Sequence, residues 1–458
     1  MTAAVTPFLS EIWHALGGGA EPMAALRVVG EGNFKSAFRV TDLTTDAIGA
    51  AGLAVAELIA ARFGDRPTVT VDRRLASLWS ASTLRPEGWM APPEWDPIAA
   101  NYPASDGWIR LHTNVPRHRQ AALGVLGAPA DKDAVAAAVA RWKADELEAA
   151  VVAKGGCAAT MRSLGAWAGH PHGSGVAGEP LLWIAETDAA SAPSWPMSRA
   201  RPLAGIRVLD LTRILAGPVA TRFLAGFGAE LLRIDPPEWD EAIVPEVTLG
   251  KRCARLDLRQ RDDRKRLTEL LAEADVLVHG YRPEALARLG FDDAARRRIR
   301  PGLVDVTLDA YGWTGPWAGR RGFDSLVQMS AGIAAEGMRR FGTDHPTPLP
   351  VQALDHATGY LLAAAAIRGL TRRVTEGVGS VWRASLARTA ALLTANPAPD
   401  LTGELAKVTA ADFNTVLENT SWGPARRLKP PLGIAGADLH WDRPATALGS
   451  APAAWRQE

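Results

Sequence analysis

The chain has 458 residues, with 51 basic and 50 acidic side chains and a formal net charge of +1. That balance makes neither a nucleic acid nor an anionic membrane surface an expected partner. Two cysteines, Cys157 and Cys253, lie outside any CxxC or Cys/His cluster, so no disulfide scaffold and no metal site is expected, and a reducing, cytoplasmic compartment fits. No uncharged apolar run reaches the ~18 residues of a membrane span, and the N-terminus lacks a basic-then-apolar leader pattern. The length suffices for two or three domains with real cores.

In chain order, an Ala/Leu/Val-rich stretch from Thr44 to Arg62 predicts a long helix, followed by a strand at Thr68–Val71. Residues 101–195 carry a strand candidate at Gly107–Leu111 and Ala-rich helices, among them Lys132–Trp142 with Asp131 as cap. The Gly155-Gly156 pair reads as a helix stop, and residues 186–201 as a linker. Ile206–Leu211 is a short apolar strand that runs into Leu215-Ala-Gly-Pro218, a turn able to open a helix with Pro218 near its start. Ala229–Asp235, Val276–His279 and Leu303–Leu308 are further strands with helices between them. This alternation predicts an α/β fold with a parallel sheet and right-handed crossovers. The expected organisation is an aspartate-helix unit at 1–100, a small α/β domain at 101–195, a nucleotide-type domain at 202–390 and a Pro-rich, loop-like tail at 391–458.

A faint repeat links two regions. Val40-Thr-Asp-Leu-Thr-Thr-Asp46 and the helix after it parallel Ala353-Leu-Asp-His-Ala-Thr-Gly359 and its helix, aligning Asp42 with Asp355 and Thr45 with Thr358. Asp355 heads a helix-like run, where an aspartate is a favoured cap that stabilises by about 1 kcal/mol. A helix dipole also favours the ionised form, which a carboxylate nucleophile requires. His356 is adjacent but is not paired with it. Asp42 lacks the following glycine, because Asp46 stands where Gly359 does, so Asp355 is preferred as nucleophile.

The strand–turn–helix at 206–225 could cradle a phosphate on its helix N-terminus, although G-x-G-x-x-G is absent. Asp235 could hold a ribose hydroxyl or simply cap the loop before Pro236-Pro237. Arg259, Arg282, Arg288, Arg320 and Arg321 fall near strand ends or loops; singly they read as surface charges, converging they would suit a polyphosphate.

These residues resemble a known family. Pro202–Pro218, Gly228–Pro237, Gly250–Leu258, Ala274–Pro283, Tyr311–Pro316 and Arg321-Gly-Phe-Asp324, followed by the Asp355 segment, are similar in kind and order to the family III CoA-transferases, the CaiB/BaiF group of formyl-CoA and carnitine-CoA transferases. The resemblance implies a Rossmann-like domain with a second, smaller α/β domain, and CoA or acyl-CoA as substrate with no tightly bound cofactor. It carries Ile214 and Leu215 to the adenine, and Leu256 and Arg259 to the nucleotide side. Gly280 and Tyr281 take the place of an Asn-Phe pair, Arg288 and Leu289 follow, and Arg321 would reach the phosphates. His279 stands where a glutamate is usual. Asp355 falls on the catalytic aspartate, which in that family attacks the acyl-CoA thioester, passes through a mixed anhydride and an aspartyl-CoA thioester, and delivers CoA to a free carboxylic acid. Racemases of 2-methylacyl-CoA share the fold and use a histidine where this chain has Phe323, which favours transfer. An isomerase and a non-catalytic CoA-binding protein are the alternatives. The family's order is altered here: residues 1–201 precede the nucleotide-type half and look like its later parts, so the chain reads as permuted with the aspartate-helix unit duplicated. A homodimer is implied by resemblance.

Overall fold

A computed structural model describes residues 7–190, 193–397 and 403–456. Seven strands form the main sheet: β1 (Trp183–Ala189), β2 (Arg207–Leu211), β3 (Glu230–Asp235), β4 (Arg252–Arg255), β5 (Val276–His279), β6 (Val304–Asp309) and β7 (Val378–Ser385). Their order is β4-β3-β2-β5-β6-β7-β1. All neighbours are parallel except β1, which runs antiparallel on the edge beside β7. The central strands are buried along almost their whole length, their Val and Leu residues packing in a sheet covered on both faces while Asp210, His279 and Asp305 are buried among them. The α/β expectation holds. The chain builds outward from β2 to β4, then returns to place β5 on the other side of β2. This reversal opens a crevice at the carboxyl ends of β2 and β5, where ligands of such sheets bind.

Five helices surround the sheet at this end: α1 (Val40–Phe63), α2 (Ala216–Gly226), α3 (Asp324–Ser330), α4 (Ala353–Thr375) and α5 (Leu386–Ala395), of which α2 to α5 contribute residues to the crevice. α1 and α4 pack against each other, and α4 also packs on α2. Both long helices are rich in alanine and apolar on nearly every side, which only a fully enclosed helix tolerates. By length and composition α1 would pass as a membrane span, yet 89% of its apolar window is buried inside the protein. It is a core helix here.

Around α1, Leu26–Val29 pairs in parallel with Val69–Asp72, and Leu432–Ile434 adds an antiparallel third strand. This unit and the β6-α4-β7 unit share one order: strand, long helix, parallel strand, capped helix. Asp72 caps the helix after its strand by accepting from the Leu75 N–H at 2.9 Å, and Ser385 does the same for the Arg388 N–H at 3.2 Å. A smaller α/β unit holds the antiparallel strands Asn101–Pro103, Trp108–Leu111 and Ala158–Thr160 over a core of its own. Within it Asp131 caps Lys132–Val139 as expected.

Two stretches differ from the sequence expectation. The 186–201 linker begins inside β1, whose largely exposed side chains gave no strand pattern. The Pro-rich 391–458 region holds three strands: Glu418–Thr420, Gly423–Arg427 and Leu432–Ile434. It is also anchored by Trp455, whose buried indole N–H donates to the Leu270 carbonyl at 3.0 Å. Gly423–Arg427 and Leu432–Ile434 pair with strands hundreds of residues away, and such short strands leave little local signal.

Candidate active site

The site starts at the end of β2. Asp210 is fully buried, and its Oδ1 accepts from the Thr212 N–H at 2.8 Å and from Thr212 Oγ1. Its Oδ2 receives Thr221 Oγ1 and the Lys251 ammonium at 3.0 Å. Lys251 and Arg233 outweigh burial and hold the Asp210 carboxyl below its ordinary range. This network fixes the turn that launches α2. Ile214 within the turn has φ 65°, a left-handed conformation that costs a β-branched residue about 1–2 kcal/mol. Its N–H is tied to Glu241 Oε2 at 2.9 Å, and Glu241 is held in turn by Arg233.

Asp355 lies in the first turn of α4 and is 8% exposed. Gln352 occupies the N-cap position without a side-chain hydrogen bond, so Asp355 is not a cap. The Ala216 N–H at the start of α2 instead lies near its carboxylate and lowers its pKa, while the Asp355 N–H donates to Asp324 Oδ2 at 2.9 Å. Gly359, one turn along α4, permits this approach: a β-carbon there would lie 2.6 Å from the Ala216 carbonyl oxygen and 2.8 Å from Val219 Cβ.

The expectation that a helix dipole keeps Asp355 ionised is corrected. Burial first, and the adjacent Asp324 second, raise its pKa well above the usual carboxylate value. The neighbouring carboxyl of Asp324 is pushed up to about 6 by burial, relieved in part by Gln328 and by the N–H groups of Asp355 and Leu354. The two carboxyls act as a pair that resists carrying two charges. His356 is buried one step round the helix and pushed down to about 3 by burial and Arg222; it takes no part in the pair.

Asp355 faces two cavities. A cleft of about 320 Å³ runs over the carboxyl ends of β2, β5 and β6. A chamber of about 390 Å³ lies on the other side, walled by Trp95, His112, Trp239 and Ile243. Six residues line both: Val115, Ile214, Leu215, Trp239, Phe323 and Asp355. Asp355 is the single ionisable one. A larger hollow of about 790 Å³ adjoins the cleft and shares Arg282, Arg320 and Arg321 with it.

Of the residues expected at the site, Ile214, Leu215, Gly280, Tyr281, Arg321 and Asp355 line the cleft. Leu256, Arg259, Arg288 and Leu289 do not. Leu256 packs in the core beneath the sheet end, with Leu289 and Tyr281 against the same cluster. Arg259 and Arg288 are exposed and engaged by neighbours, Asp257 with Glu238 and Glu284 respectively. Asp235, open in the sequence to a ribose role, is fully buried and grips the Arg233 guanidinium through two hydrogen bonds of 2.8 and 3.0 Å. Asp42 is held by Arg73 and Arg39 and lines neither cavity.

Convergence of arginines is visible only in three dimensions. Arg117, Arg282 and Arg321 meet at the cleft, and among the described residues none has a carboxylate within ion-pair distance. Burial, then Arg282 and Arg117, lower the Arg321 pKa, a repulsion that a bound polyanion would relieve. Arg320 is already committed to Glu148 at 2.6 Å and to the Trp317 face. Arg117, His112 and Asp324 escaped the sequence reading as site residues. Asp324 closes the quoted Arg321-Gly-Phe-Asp324 stretch and could have been found there; Arg117 and His112 carry no local signal. The His112 ring stacks on Phe323 with centroids 3.7 Å apart. Its Nδ1 faces Ser325 Oγ at 3.4 Å, and its Nε2 is buried without a partner. Burial, Arg110 and His118 push its pKa down to about 3, so the ring is neutral.

Residues 203–416 match the model of the CoA-transferase family III. The chain is 35% identical over 206 residues to an acetyl-coenzyme A transferase of Hypoxylon pulicicidum, covering 43% of this chain and 34% of that protein. It is 31% identical to a probable fatty acyl-CoA transferase of Mycobacterium tuberculosis over 43% of this chain and 53% of the relative. The succinyl-CoA:glutarate CoA-transferase of Mus musculus is 30% identical over 45% and 49%. A crystal structure of the mycobacterial protein overlaps 43% of this chain and 58% of its own, at 30% identity and a TM-score of 0.39. The chain thus spans roughly a third to just over half of these relatives' lengths.

Proposed function

We propose that the protein moves CoA from an acyl-CoA to a free carboxylic acid, with Asp355 as nucleophile, on the ground that residues 203–416 match the model of the CoA-transferase family III. The observation that carries this reading is the position of Asp355 as the single ionisable group shared by an arginine-rich cleft and an aromatic chamber. The cleft suits the CoA arm. Arg117, Arg282 and Arg321 would take its phosphates, and the turn at Ile214–Leu215 would direct the thiol end toward Asp355. The chamber would take the acyl group.

The reaction then runs in balanced steps. An Asp355 oxygen attacks the thioester carbon, the C–S bond breaks, and CoA thiolate leaves an acyl-aspartyl anhydride. The thiolate attacks the aspartyl carbon of the anhydride and frees the donor acid, giving an aspartyl-CoA thioester. The acceptor carboxylate attacks that thioester and expels the thiolate, which then attacks the acceptor carbonyl and restores Asp355. Covalent catalysis divides one hard exchange into easier ones. The neutral His112 has Nε2 free to donate to a developing oxyanion if Ser325 donates to Nδ1.

Incubating the protein with an acyl-CoA and hydroxylamine, followed by peptide mass spectrometry, tests the reading. Hydroxamate on Asp355 is expected, and Asp355→Ala should lose at least ~1,000-fold in transfer rate. Full transfer by Asp355→Ala overturns it.

One observation favours an isomerase as the second reading. His112 lies against Phe323, where racemases carry their histidine, and it shares the chamber with Asp355. Deuterium entering C2 of an acyl-CoA without an acceptor acid would select that reading.

A further inference from the structure

The wall of the chamber speaks to the kind of acid it admits. Its carboxylates come from Glu94, Asp96, Asp240, Glu241, Asp324 and Asp355. Among the described residues no lysine or arginine lines it. Two cations outside the lining already engage these acids: Arg119 reaches Asp96 at 3.5 Å, and Arg233 donates to Glu241 at 2.7 Å. Arg110 stacks on Trp95 and donates to Asn101, and its charge is answered in part by Asp324 of the wall. Glu94 and Asp240 are exposed at the rim and have no ion-pair partner among the described residues. The rest of the lining is apolar or aromatic, with Trp95, Trp239, Ile243 and Phe323 prominent.

We infer that the chamber selects acyl groups whose far end carries no carboxylate, so that monocarboxylic acids rather than dicarboxylic acids are the substrates. This rests on the chamber being the acyl side of the proposed transferase site. A distal carboxylate entering there would shed water without meeting a cation, and would face two rim carboxylates of its own sign. An aliphatic or aromatic tail would displace water from tryptophan and isoleucine surface. A distal ammonium would be tolerated. The cationic cleft on the other side of Asp355 serves a different part of the ligand, so a diacid cannot borrow its arginines while the CoA arm fills it.

Binding separates this inference from the chemistry. Asp355→Asn protein is titrated calorimetrically with hexanoyl-CoA and with adipoyl-CoA, which match in chain length and differ by the distal carboxylate. Hexanoyl-CoA should bind roughly 100-fold more tightly, and the double variant Glu94→Gln/Asp240→Asn should narrow the ratio. Equal affinities, tighter binding of adipoyl-CoA, or binding of neither overturns the inference. Wild-type transfer from hexanoyl-CoA to free hexanoate labelled with carbon-13 is measured beside it, read as label entering the acyl-CoA. Its absence, with the binding ratio intact, overturns the transferase reading and leaves the selectivity standing.

Discussion

Gly359 on α4 and Asp46 on α1 are aligned by the repeat, and the two residues leave the aspartates before them in different surroundings. At Gly359 the missing β-carbon lets the start of α2 close on α4, and the Ala216 N–H arrives at Asp355. At Asp46 a carboxyl fills the equivalent space and accepts the Leu9 N–H at 3.1 Å, while Asp42 is neutralised by Arg73. Replacing Gly359→Ala should force α2 and α4 apart, at a cost of about 1–3 kcal/mol. It should lower the transfer rate more than acyl-CoA affinity, read as a fall in kcat with KM little changed. The Asp324–Asp355 pair gives a second expectation. The proposed nucleophile must be ionised to attack, and Asp324 opposes that. Asp324→Asn keeps an acceptor for the Asp355 N–H but removes the charge. The acid limb of kcat/KM should then move to lower pH; an unmoved limb would mean that Asp324 does not raise the Asp355 pKa.

Among the elements, the helices with strong composition were legible and the long-range strands were not. Thr44–Arg62 announced α1 through its alanine and leucine content, and the β2-turn-α2 sequence announced itself through an apolar strand followed by Pro218. The pairing of β1 with β7 and of Leu432–Ile434 with Val69–Asp72 depends on partners far along the chain, so no local pattern could reveal it. The pKa of Asp355 was misread for the same reason: it is raised first by burial and then by Asp324, and only folding brings about either. Burial on α1 also has a measurable consequence. The Asp46 carboxyl is pushed up to about 8, first by burial and then by Asp42. A raised carboxyl favours the folded state while protonated. That stability is fully present below the ordinary carboxylate range and is lost as pH rises through about 8. The melting temperature should therefore fall between pH 5 and 9, and Asp46→Asn, which retains an acceptor for Leu9, should flatten the decline by an amount on the order of a few kcal/mol.

For the molecule as a whole, the two walls of the candidate site come from separate parts of one chain. Residues 93–118 supply Trp95, His112 and Arg117, while residues 211–386 supply the turn, Tyr281, Arg321 and Asp355. The sequence showed the second part through its ordered motifs. It concealed the first, because His112 and Arg117 have meaning only against Phe323 and Arg321. If the site is self-sufficient in this way, specific activity should stay constant as the protein is diluted through the range where light scattering would reveal any dimer dissociating. A proportional loss of activity with dissociation would show that a second copy is needed.

The packing of α1 against α4 has one more consequence. A covalent tether turns the meeting of two surfaces into an intramolecular event, with an effective concentration that can reach the millimolar range for a short connection. Here the tethered surfaces include two helices buried on nearly every side, so cohesion does not rest on the tether alone. Cutting the backbone between β1 and β2 would remove the concentration advantage but leave that interface in place. The two pieces should remain together through purification, with the site assembled across the break.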